Sequence, residues 1–430
     1  MKKVGLVSLG CAKNLVDSEN ILGLLDNDNY EITPFMEEAD IIFVNTCGFI
    51  ESSKKESIET IFEMLDSGKT VVATGCLVER YYKELKEEMK EVPLMIPIRD
   101  YNHFNDLLKT IDPELQATGG LRDDLRIIST GRFSAYLKIG EGCDNRCTYC
   151  AIPIIRGGFV SRPFDEIVKE ARNLAEIGIK EVIVLEQDTT KYGIDLNNGE
   201  NIVKLLKALL EIKELDYIRL LYLYPDEITD ELIDLIATEP RLTPYFDIPI
   251  QHSEDKILTA MNRRGDKEYL YSLFKKIRTK VPNAVLRTTV MVGFPGETDE
   301  DFENLKSFIK EIQFDHLGAF TYSREEGTES YRMDNQIDED TKKKRLDSIM
   351  KEQQKISYKR NKTHVGEIME GLVVGMEKDF YLFRSYWNAP DDVDGKIFIK
   401  SDDLLEQGQK VKVQIDDAFV YDLMGHLYKN

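Results

Sequence analysis

Short apolar runs alternate with amphipathic stretches over the first 335 residues, and this alternation restricts the fold more than any other feature of the chain. The runs "KKVGLVSLG", "DIIFVNTCGF" and "TVVATGCLVE" are typical of buried parallel strands, and a helical pattern follows each of them. Repeated strand-helix units build a parallel sheet covered by helices. The pattern therefore predicts an N-terminal α/β domain over residues 1–125.

A second series of six apolar runs lies between residues 130 and 335. These runs are "FSAYLKIGEG", "EVIVLEQD", "YIRLLYLYP", "YFDIPIQH", "AVLRTTVMVGFP" and "HLGAFTY", separated by helical patterns such as "FDEIVKEARNLAEIG". Six such units predict an α/β fold of the incomplete (β/α)6 barrel type over residues 130–335. By analogy with the complete barrel, we expect its chemistry at the carboxyl ends of the strands.

The last hundred residues change character. A highly charged stretch predicts a linker helix over residues 336–363, and short alternating runs over residues 364–430 predict a small antiparallel β-barrel. Residues 361–430 contain eight Lys and Arg against thirteen Asp and Glu, and the whole chain has a formal net charge of -21. Such a surface repels a phosphate backbone on average and attracts a basic protein.

Three cysteines of the N-terminal domain occupy equivalent positions. Cys11, Cys47 and Cys76, which we call the N-terminal set, each stand just past the apolar run of a predicted strand. Ligands of open α/β sheets bind beyond the carboxyl edge, so we expect the three thiols to converge there. A single free cysteine is more often a packing residue, but three in equivalent places favour a shared site.

The beginning of the chain allows one competing interpretation. "MKKVGLVSLGC" also has the form of a lipoprotein signal, which would remove Cys11 from the N-terminal set. Its apolar part is short, and the polar "KN" that follows the cysteine argues against a signal. The absence of an apolar stretch near 18 residues and the use of a few grouped thiols predict a cytoplasmic protein without a membrane span.

The loop "GCDNRCTYCAIP" carries Cys143, Cys147 and Cys150, the loop set, directly after the first barrel strand. Three thiolates on a short loop can hold three corners of a cubane iron-sulfur cluster and leave the fourth iron open. A structural zinc site needs a fourth ligand, and the five histidines are scattered without ligand spacing. The loop therefore favours an iron-sulfur cluster that binds a reactant.

This loop, with Tyr149 before its last cysteine and a six-unit barrel around it, resembles the radical S-adenosylmethionine (SAM) superfamily. The resemblance implies that SAM chelates the open iron and is split to a 5'-deoxyadenosyl radical by one electron. "SLGCAKN", "VNTCGF", "TGCLVER" and "SYWNAPDDVDG" extend the resemblance to the methylthiotransferases over essentially the whole chain. It then implies that the N-terminal set holds a second 4Fe-4S cluster carrying the sulfur, and that the terminal module is a TRAM domain.

One branch of the methylthiotransferases modifies an aspartate of ribosomal protein uS12, and another modifies an adenosine of transfer RNA. "GCAKNLVDSE", "LEQDTTKYGIDL" and "LLYLYP" resemble the first branch. The acidic terminal module agrees, because an RNA-binding module would be rich in Lys and Arg, whereas an acidic one suits a basic ribosomal protein. The implied reaction converts a β-carbon C–H of that aspartate to C–SCH3 and uses two SAM molecules. The resemblance also implies two clusters that face one cavity and a reductant such as flavodoxin or ferredoxin.

Two alternatives stay open at this point. The first is a transfer-RNA methylthiotransferase, and the second is a non-enzymatic iron-sulfur protein for electron transfer or sensing. The second explains the cysteines but not the barrel, and an electron carrier would supply four thiolates per cluster instead of three.

Five further residues are predicted to bind the cofactor. Glu186 ends the second barrel strand, where the superfamily often holds the amino group of SAM, although a solvated charge would also end a strand there. Arg219, Gln251 and Arg287 are expected near the carboxylate or ribose, unless the arginines neutralise neighbouring acids. Gly293 is expected to let the backbone approach the adenine, and its alternative is an ordinary turn.

Three aromatic residues complete the candidates. Tyr149 is predicted to pack on the cluster or the cofactor, or else on the core. Tyr386 and Trp387 of the terminal module are predicted to contact the substrate, whereas a lone Trp in a small β-barrel more often belongs to the core.

Overall fold

The computed structural model describes residues 1–26, 29–115, 120–121, 126–131, 133–390 and 393–429. The chain divides into two compact units. Unit 1 consists of Met1–Ser129, Tyr136–Val160 and Glu325–Tyr331, and unit 2 consists of Thr130–Ala135, Ser161–Arg324 and Arg332–Asn430. The predicted boundary at residue 125 lies outside the described residues, as do two aspartates of "SYWNAPDDVDG", and the domain limits stay a prediction.

Unit 1 is built on a parallel sheet with the strand order β2-β1-β3-β4-β5. The strands are β1 (Lys2–Ser8), β2 (Tyr30–Ile32), β3 (Ile41–Thr46), β4 (Thr70–Gly75) and β5 (Leu94–Ile96), and the helices are α1 (Ala12–Leu25), α2 (Glu51–Asp66), α3 (Cys76–Glu88) and α4 (Phe104–Leu108). The three predicted strand-helix units are β1-α1, β3-α2 and β4-α3, whose strands are neighbours. Their register pairs Ser8 with Asn45 and Thr46 with Gly75, so the three carboxyl ends lie level.

The central strand β3 explains why these runs are continuously apolar. Its residues alternate between two hydrophobic clusters, with Ile41 and Phe43 in one and Ile42 and Val44 in the other. A parallel strand buried on both faces has no polar side, so the two-residue alternation of a half-buried strand is missing.

Unit 1 also contains the loop set. The chain enters it through the end of β6 (Ser134–Lys138) and continues through β7 (Gly140–Glu141), α5 (Ile152–Ile155) and the start of β8 (Val160–Ser161). All six cysteines therefore belong to one compact unit.

All six predicted barrel runs form strands; β6 is divided between the two units, and the other five strands lie in unit 2. The later strands are β9 (Glu181–Leu185), β10 (Tyr217–Leu220), β11 (Tyr245–Asp247), β12 (Val285–Val292) and β13 (His316–Thr321), and the helices are α6 (Phe164–Glu176), α7 (Ile202–Leu210), α8 (Asp230–Thr238), α9 (Asp255–Ala260), α10 (Lys267–Lys280) and α11 (Asp299–Ile312). The strands form two sheets, β10-β9-β6 and β11-β12-β13. A parallel bridge pairs Ile218 of β10 with Leu242, three residues before β11. The predicted α/β fold is confirmed.

The charged stretch forms α12 (Glu339–Lys362), which starts at an Asp338 cap that accepts a hydrogen bond from the Thr341 amide. Three basic residues in its last turn suit the negative end of the helix dipole. None of the described helices is both long enough and apolar enough to span a membrane.

The terminal module is a closed barrel with the order β14-β15-β16-β18-β17. Its strands are β14 (Ile368–Glu377), β15 (Phe380–Arg384), β16 (Ile397–Lys400), β17 (Lys410–Ala418) and β18 (Leu423–Leu427). Four of the five strand pairings are antiparallel, and the pairing of β16 with β18 is parallel. The predicted small barrel is confirmed with this one parallel pair.

Candidate functional site

The N-terminal set lies at the carboxyl edge of the sheet in unit 1. Cys11 precedes the first residue of α1, Cys47 follows the last residue of β3, and Cys76 is the first residue of α3. Cys11 is exposed, Cys47 is half-buried and Cys76 is buried. The set therefore runs from the protein interior to the surface.

Asn14 connects the chain segments that carry these thiols. It is buried in the first turn of α1, and its Nδ2 donates to the carbonyl oxygens of Leu9 at 2.6 Å and Thr46 at 3.3 Å. The thiol of Cys76 lies 3.9 Å from its Oδ1. One amide thus holds the ends of β1 and β3 beside the thiol that follows β4.

The approach of these loops is so close that one position requires glycine. Gly10 has φ of +91°, and a Cβ on it would lie 2.9 Å from the Cβ and 3.0 Å from the Sγ of Cys47. Any larger residue would displace Cys47, so the backbone itself brings the Cys11 loop against the second thiol.

The loop set lines an open cavity of about 350 Å³ in unit 1. Its three thiols are half-buried. The amide of Cys143 donates to the carbonyl of Gly157 at 3.1 Å, and the amide of Cys150 donates to the carbonyl of Cys147 at 2.9 Å. These bonds curl the loop around the cavity. Tyr149 of this loop is half-buried, and its packing on a cluster or cofactor stays a prediction.

Arg156 joins the surroundings of the two cysteine sets, and the sequence prediction did not include it. Its Nη1 lies 2.6 Å from Asp17 Oδ2 and 3.2 Å from Glu141 Oε2. Its Nη2 lies 3.0 Å from Asn14 Oδ1 and 3.3 Å from Cys76 Sγ. A single basic residue at the end of the apolar "AIPII" tail is the signal that could have identified it.

The charges around Arg156 shift several pKa values. Burial alone would lower the pKa of Arg156, but Asp17 and Glu141 outweigh it and raise that pKa well above its usual range. Burial would raise the pKa of Asp17, yet Arg156 and Lys138 hold it below its ordinary value. For Cys76, burial raises the thiol pKa to about 11, and Arg156 opposes that rise.

A second connection was also missed from the sequence. Arg80 on α3 donates to the carbonyl of Gly48 at 2.8 Å and pairs with Glu325 at 2.9 Å, with both side chains buried. In the same segment, the amide of Ser330 donates to the carbonyl of Thr148 at 2.8 Å. The segment Glu325–Tyr331 thus contacts the neighbourhoods of both cysteine sets within unit 1.

Both sets fit iron-sulfur ligation by the nature and number of their donors. Thiolates are the protein ligands of such clusters, and each set offers three cysteines, all of them exposed or half-buried except Cys76. Among the described residues, no three His, Cys, Asp or Glu side chains are arranged to share a single metal ion. A cubane cluster binds each thiolate through a different iron, so its ligands stand further apart than those of one ion.

Two predicted cofactor residues in unit 2 form ion pairs with acidic residues of neighbouring strands. Arg219 is buried, pairs with Glu181 at 3.1 Å and donates to the carbonyl of Ser385 at 2.7 Å. Arg287 is the third residue of β12 and pairs with Asp247 at 2.7 Å. Both arginines neutralise neighbouring acids, which agrees with the alternative interpretation of the sequence, and their role in binding SAM stays a prediction.

Glu186 and Gln251 lie at the carboxyl ends of β9 and β11. Glu186 is fully buried, and its backbone amide donates to the hydroxyl oxygen of Thr189 at 3.0 Å, so the solvated-charge interpretation is wrong. Gln251 has φ of +68°, and its buried Oε1 has no hydrogen-bond partner among the described residues. An unpaired buried acceptor in a strained backbone is the kind of feature that a bound ligand satisfies. Their binding roles stay predictions.

Gly293 follows β12 with φ of +76°, and a Cβ there would lie 2.3 Å from Lys342 Cγ. Its amide donates to the Glu297 carboxylate. Gly293 therefore forms a tight turn under the α12 lysine, which agrees with the alternative of an ordinary turn, and its adenine role stays a prediction.

The aromatic residues of the terminal module differ from each other. Trp387 is 0% exposed and packs edge-on against His316 with ring centroids 4.8 Å apart. This burial favours the core alternative for Trp387, and its contact with the substrate stays a prediction. Tyr386 is half-buried and donates its hydroxyl to Glu367 at 2.6 Å, and its substrate role stays a prediction.

Three family models match the chain. The radical SAM superfamily matches residues 137–309, an uncharacterized protein family, UPF0004, matches residues 3–97, and the TRAM domain matches residues 365–427. With the cysteine loop after the first barrel strand, these matches define a radical SAM enzyme with a C-terminal TRAM domain.

Full-length relatives make the family specific. The chain is 47% identical over 439 residues to the ribosomal protein uS12 methylthiotransferase RimO of Clostridioides difficile (strain 630), covering 99% of this chain and 98% of that protein. It is 46% identical over 429 residues to the RimO protein of Aquifex aeolicus (strain VF5), covering 98% and 96%. The chain belongs to the RimO family of ribosomal protein uS12 methylthiotransferases. Iron-sulfur clusters and SAM are accordingly its cofactors.

Solved structures share the fold at low identity. A radical SAM methyltransferase, TsrM from Kitasatospora setae, has a TM-score of 0.56 at 14% identity and covers 74% of this chain and 75% of that chain. The cobalamin-dependent SAM radical enzyme OxsB has a TM-score of 0.53 at 13% identity, with coverages of 82% and 56%.

Proposed function

We propose that this chain converts the β-carbon C–H of an aspartate in ribosomal protein uS12 to C–SCH3, with two 4Fe-4S clusters and two SAM molecules. The observation that carries the proposal is the presence of two three-cysteine sets in one compact unit, with Arg156 contacting the surroundings of both. The RimO relatives, which are named for uS12, support the choice of substrate.

The two sets divide the ligation between them. Cys143, Cys147 and Cys150 would hold the cluster that binds SAM, and the N-terminal set would hold the second cluster. When bound, these groups supply the radical that removes the β-hydrogen, the sulfur that replaces it and, from SAM, the methyl group. Each set would supply three ligands to a four-iron cluster and would leave one iron available to a reactant.

The chain itself supplies positions and burial. Asn14 and Gly10 hold the Cys11 and Cys47 loops against each other, and buried Cys76 keeps water from one side of that set. The loop set faces an open cavity, so a SAM-sized ligand has access to it. Glu186 and Gln251, at the carboxyl ends of two barrel strands, are the residues we propose to orient SAM.

Charge supports a protein substrate over transfer RNA. The chain has a formal net charge of -21, and its terminal module is acidic as well. A basic ribosomal protein is attracted to such a surface, whereas the phosphates of RNA are repelled by it. This repulsion weakens RNA binding further at low salt. Flavodoxin or ferredoxin is the proposed reductant.

The direct test incubates anaerobically reconstituted protein and SAM with free uS12, with small ribosomal subunits and with transfer RNA. Mass analysis then locates any methylthio group. We expect it on an aspartate of uS12, in one or both uS12 samples. Labelling of the transfer RNA alone would contradict the proposal and favour the RNA branch of the family.

Cysteine variants separate the two sets. Replacing Cys143, Cys147 and Cys150 with Ala should abolish SAM cleavage, measured as 5'-deoxyadenosine. Replacing Cys11, Cys47 and Cys76 with Ala should leave SAM cleavage but stop methylthiolation. If both triple variants lost cleavage to the same extent while retaining the unfolding temperature of the parent, the division of labour would be wrong.

A further inference from the structure

The side chain of Arg156 crosses from one cysteine set to the other. The residue lies six positions after Cys150, at the end of α5, and its side chain is 2% exposed. Its Nη2 lies 3.3 Å from Cys76 Sγ, within hydrogen-bonding distance of a sulfur acceptor. Cys76, Ala151 and Ile155 also form one buried cluster, so the turn before Arg156 packs directly on the N-terminal set.

The other branch of the guanidinium is fixed in place. Nη1 contacts Asp17 at 2.6 Å and Glu141 at 3.2 Å, and Nη2 also donates to Asn14 at 3.0 Å. Asp17 and Asn14 lie one turn apart on α1, the helix that begins directly after Cys11. A planar fork can satisfy these acceptors at once, whereas the ammonium of lysine is a single point charge.

Arg156 belongs to a cluster of charged side chains beside the Cys76 sulfur. Its cations are Lys13, Lys138 and Arg156, and its carboxylates are Asp17 and Glu141, joined by contacts of 2.6 to 3.4 Å. Beside these ion pairs, the Cys76 sulfur lies 3.3 Å from Nη2 of Arg156, so a buried cation and an N–H donor face this sulfur. Donors and positive charge beside a ligand sulfur stabilise the reduced form of an iron-sulfur group.

We infer that Arg156 is a positioning residue that holds the cysteine loop against the N-terminal set and donates an N–H to Cys76 sulfur, so that it raises the reduction potential of the iron-sulfur group held there. The inference rests on the proposed function. Through the spacing of the two sets, Arg156 also couples SAM cleavage to sulfur insertion, because small displacements between reacting groups cost large factors in rate.

The first measurement is independent of the substrate. In a full chain with Cys143, Cys147 and Cys150 replaced by Ala, iron and sulfide content and the midpoint potential are measured for the parent and for Arg156→Gln, Arg156→Lys and Arg126→Gln. Arg126 is the matched control, because it is buried in unit 1 and paired with Glu19 at 3.1 Å. We expect Arg156→Gln to shift the potential to more negative values, Arg156→Lys to shift it less, and Arg126→Gln to match the parent.

The second measurement uses chains that retain all six cysteines. For Arg156→Gln we expect the ratio of methylthiolated uS12 to 5'-deoxyadenosine to fall roughly 10- to 100-fold, the usual effect of removing a group that orients a metal ligand. SAM cleavage itself should persist, and Arg126→Gln should retain the parent ratio.

The design keeps the outcomes separate. If Arg156→Gln does not fold, Asp17→Asn with Arg156→Gln removes the buried charge along with its partner and carries the same expectations. Equal potentials and equal ratios for the Arg156 and Arg126 variants would overturn the inference. If Arg156→Gln shifts the midpoint potential but the six-cysteine parent never labels uS12, the proposed function is overturned and the role of Arg156 stands.

Discussion

Replacing Trp387 with Ala distinguishes a core residue from a substrate contact. Trp387 is 0% exposed, and its ring packs against His316 and His364 with centroids 4.8 and 6.4 Å apart. Truncation of a fully buried Trp removes its transfer free energy and leaves a cavity, which costs about 3–5 kcal/mol. At about 2–4 °C per kcal/mol for a unit of this size, the unfolding temperature of unit 2 should fall by roughly 6–20 °C.

Trp387→Phe is the matched variant. The Trp387 Nε1 is buried without a hydrogen-bond partner among the described residues, so phenylalanine loses volume but removes an unpaired donor. We expect a cost of only about 1–2 kcal/mol. The difference in the free energy of unfolding between Trp387→Ala and Trp387→Phe therefore measures lost packing and not the loss of a hydrogen bond.

The assay is thermal and urea unfolding of the full chain, followed by far-ultraviolet circular dichroism. The chain has a single Trp, so fluorescence of the parent assigns the transition that belongs to unit 2. If Trp387→Ala unfolded within about 1 kcal/mol of the parent, a value typical of surface positions, the core assignment would be refuted. A raised KM for uS12 with unchanged stability would restore the substrate-contact interpretation.

Two further predictions concern buried charges. Glu325→Gln in unit 1 should lower the free energy of unfolding by about 3 kcal/mol, because it leaves Arg80 and Lys54 without a buried anion at 2.9 and 3.1 Å. The control is Glu51→Gln, since Glu51 is a partner of Lys54 that is 58% exposed, and it should cost less than about 1 kcal/mol. Equal costs in thermal unfolding would contradict the role of burial. Burial would raise the pKa of Asp394, but His316 and Arg287 hold this pKa below 3.8. The ionised carboxylate therefore stabilises the fold fully above that pH, and this stabilisation is lost as the pH falls through the pKa of Asp394 in the folded protein. Unfolding of the parent should therefore depend more steeply on pH between about 5 and 2 than unfolding of Asp394→Asn, and parallel profiles would count against this ion pair.

The secondary structure and the positions of the cysteines were predictable because both depend on local patterns. The six barrel runs all became strands, and β1, β3 and β4 place their following cysteines at one sheet edge. An apolar run, a turn and an amphipathic helix each span only a few residues, so the sequence contains the whole signal.

The partners of buried charges were not predictable in this way. Arg156 and Asp17 are 139 residues apart, and Arg80 and Glu325 are 245 apart, so no periodicity relates them. Polar residues such as Asn14 and Asp17 would usually indicate an exposed helix face, yet both are buried here because charged side chains from other segments satisfy them.

Local sequence patterns were enough to predict which segments become strands, where each thiol follows its strand, and that each cysteine set has three members, since hydrophobic period and residue spacing are local properties. Long-range packing instead settled that Arg219 and Arg287 form ion pairs with Glu181 and Asp247, that Trp387 is buried, and that Arg156 meets Cys76. These outcomes depend on which distant side chains share a buried volume, and the free energy of pairing or packing there is set by the folded chain as a whole.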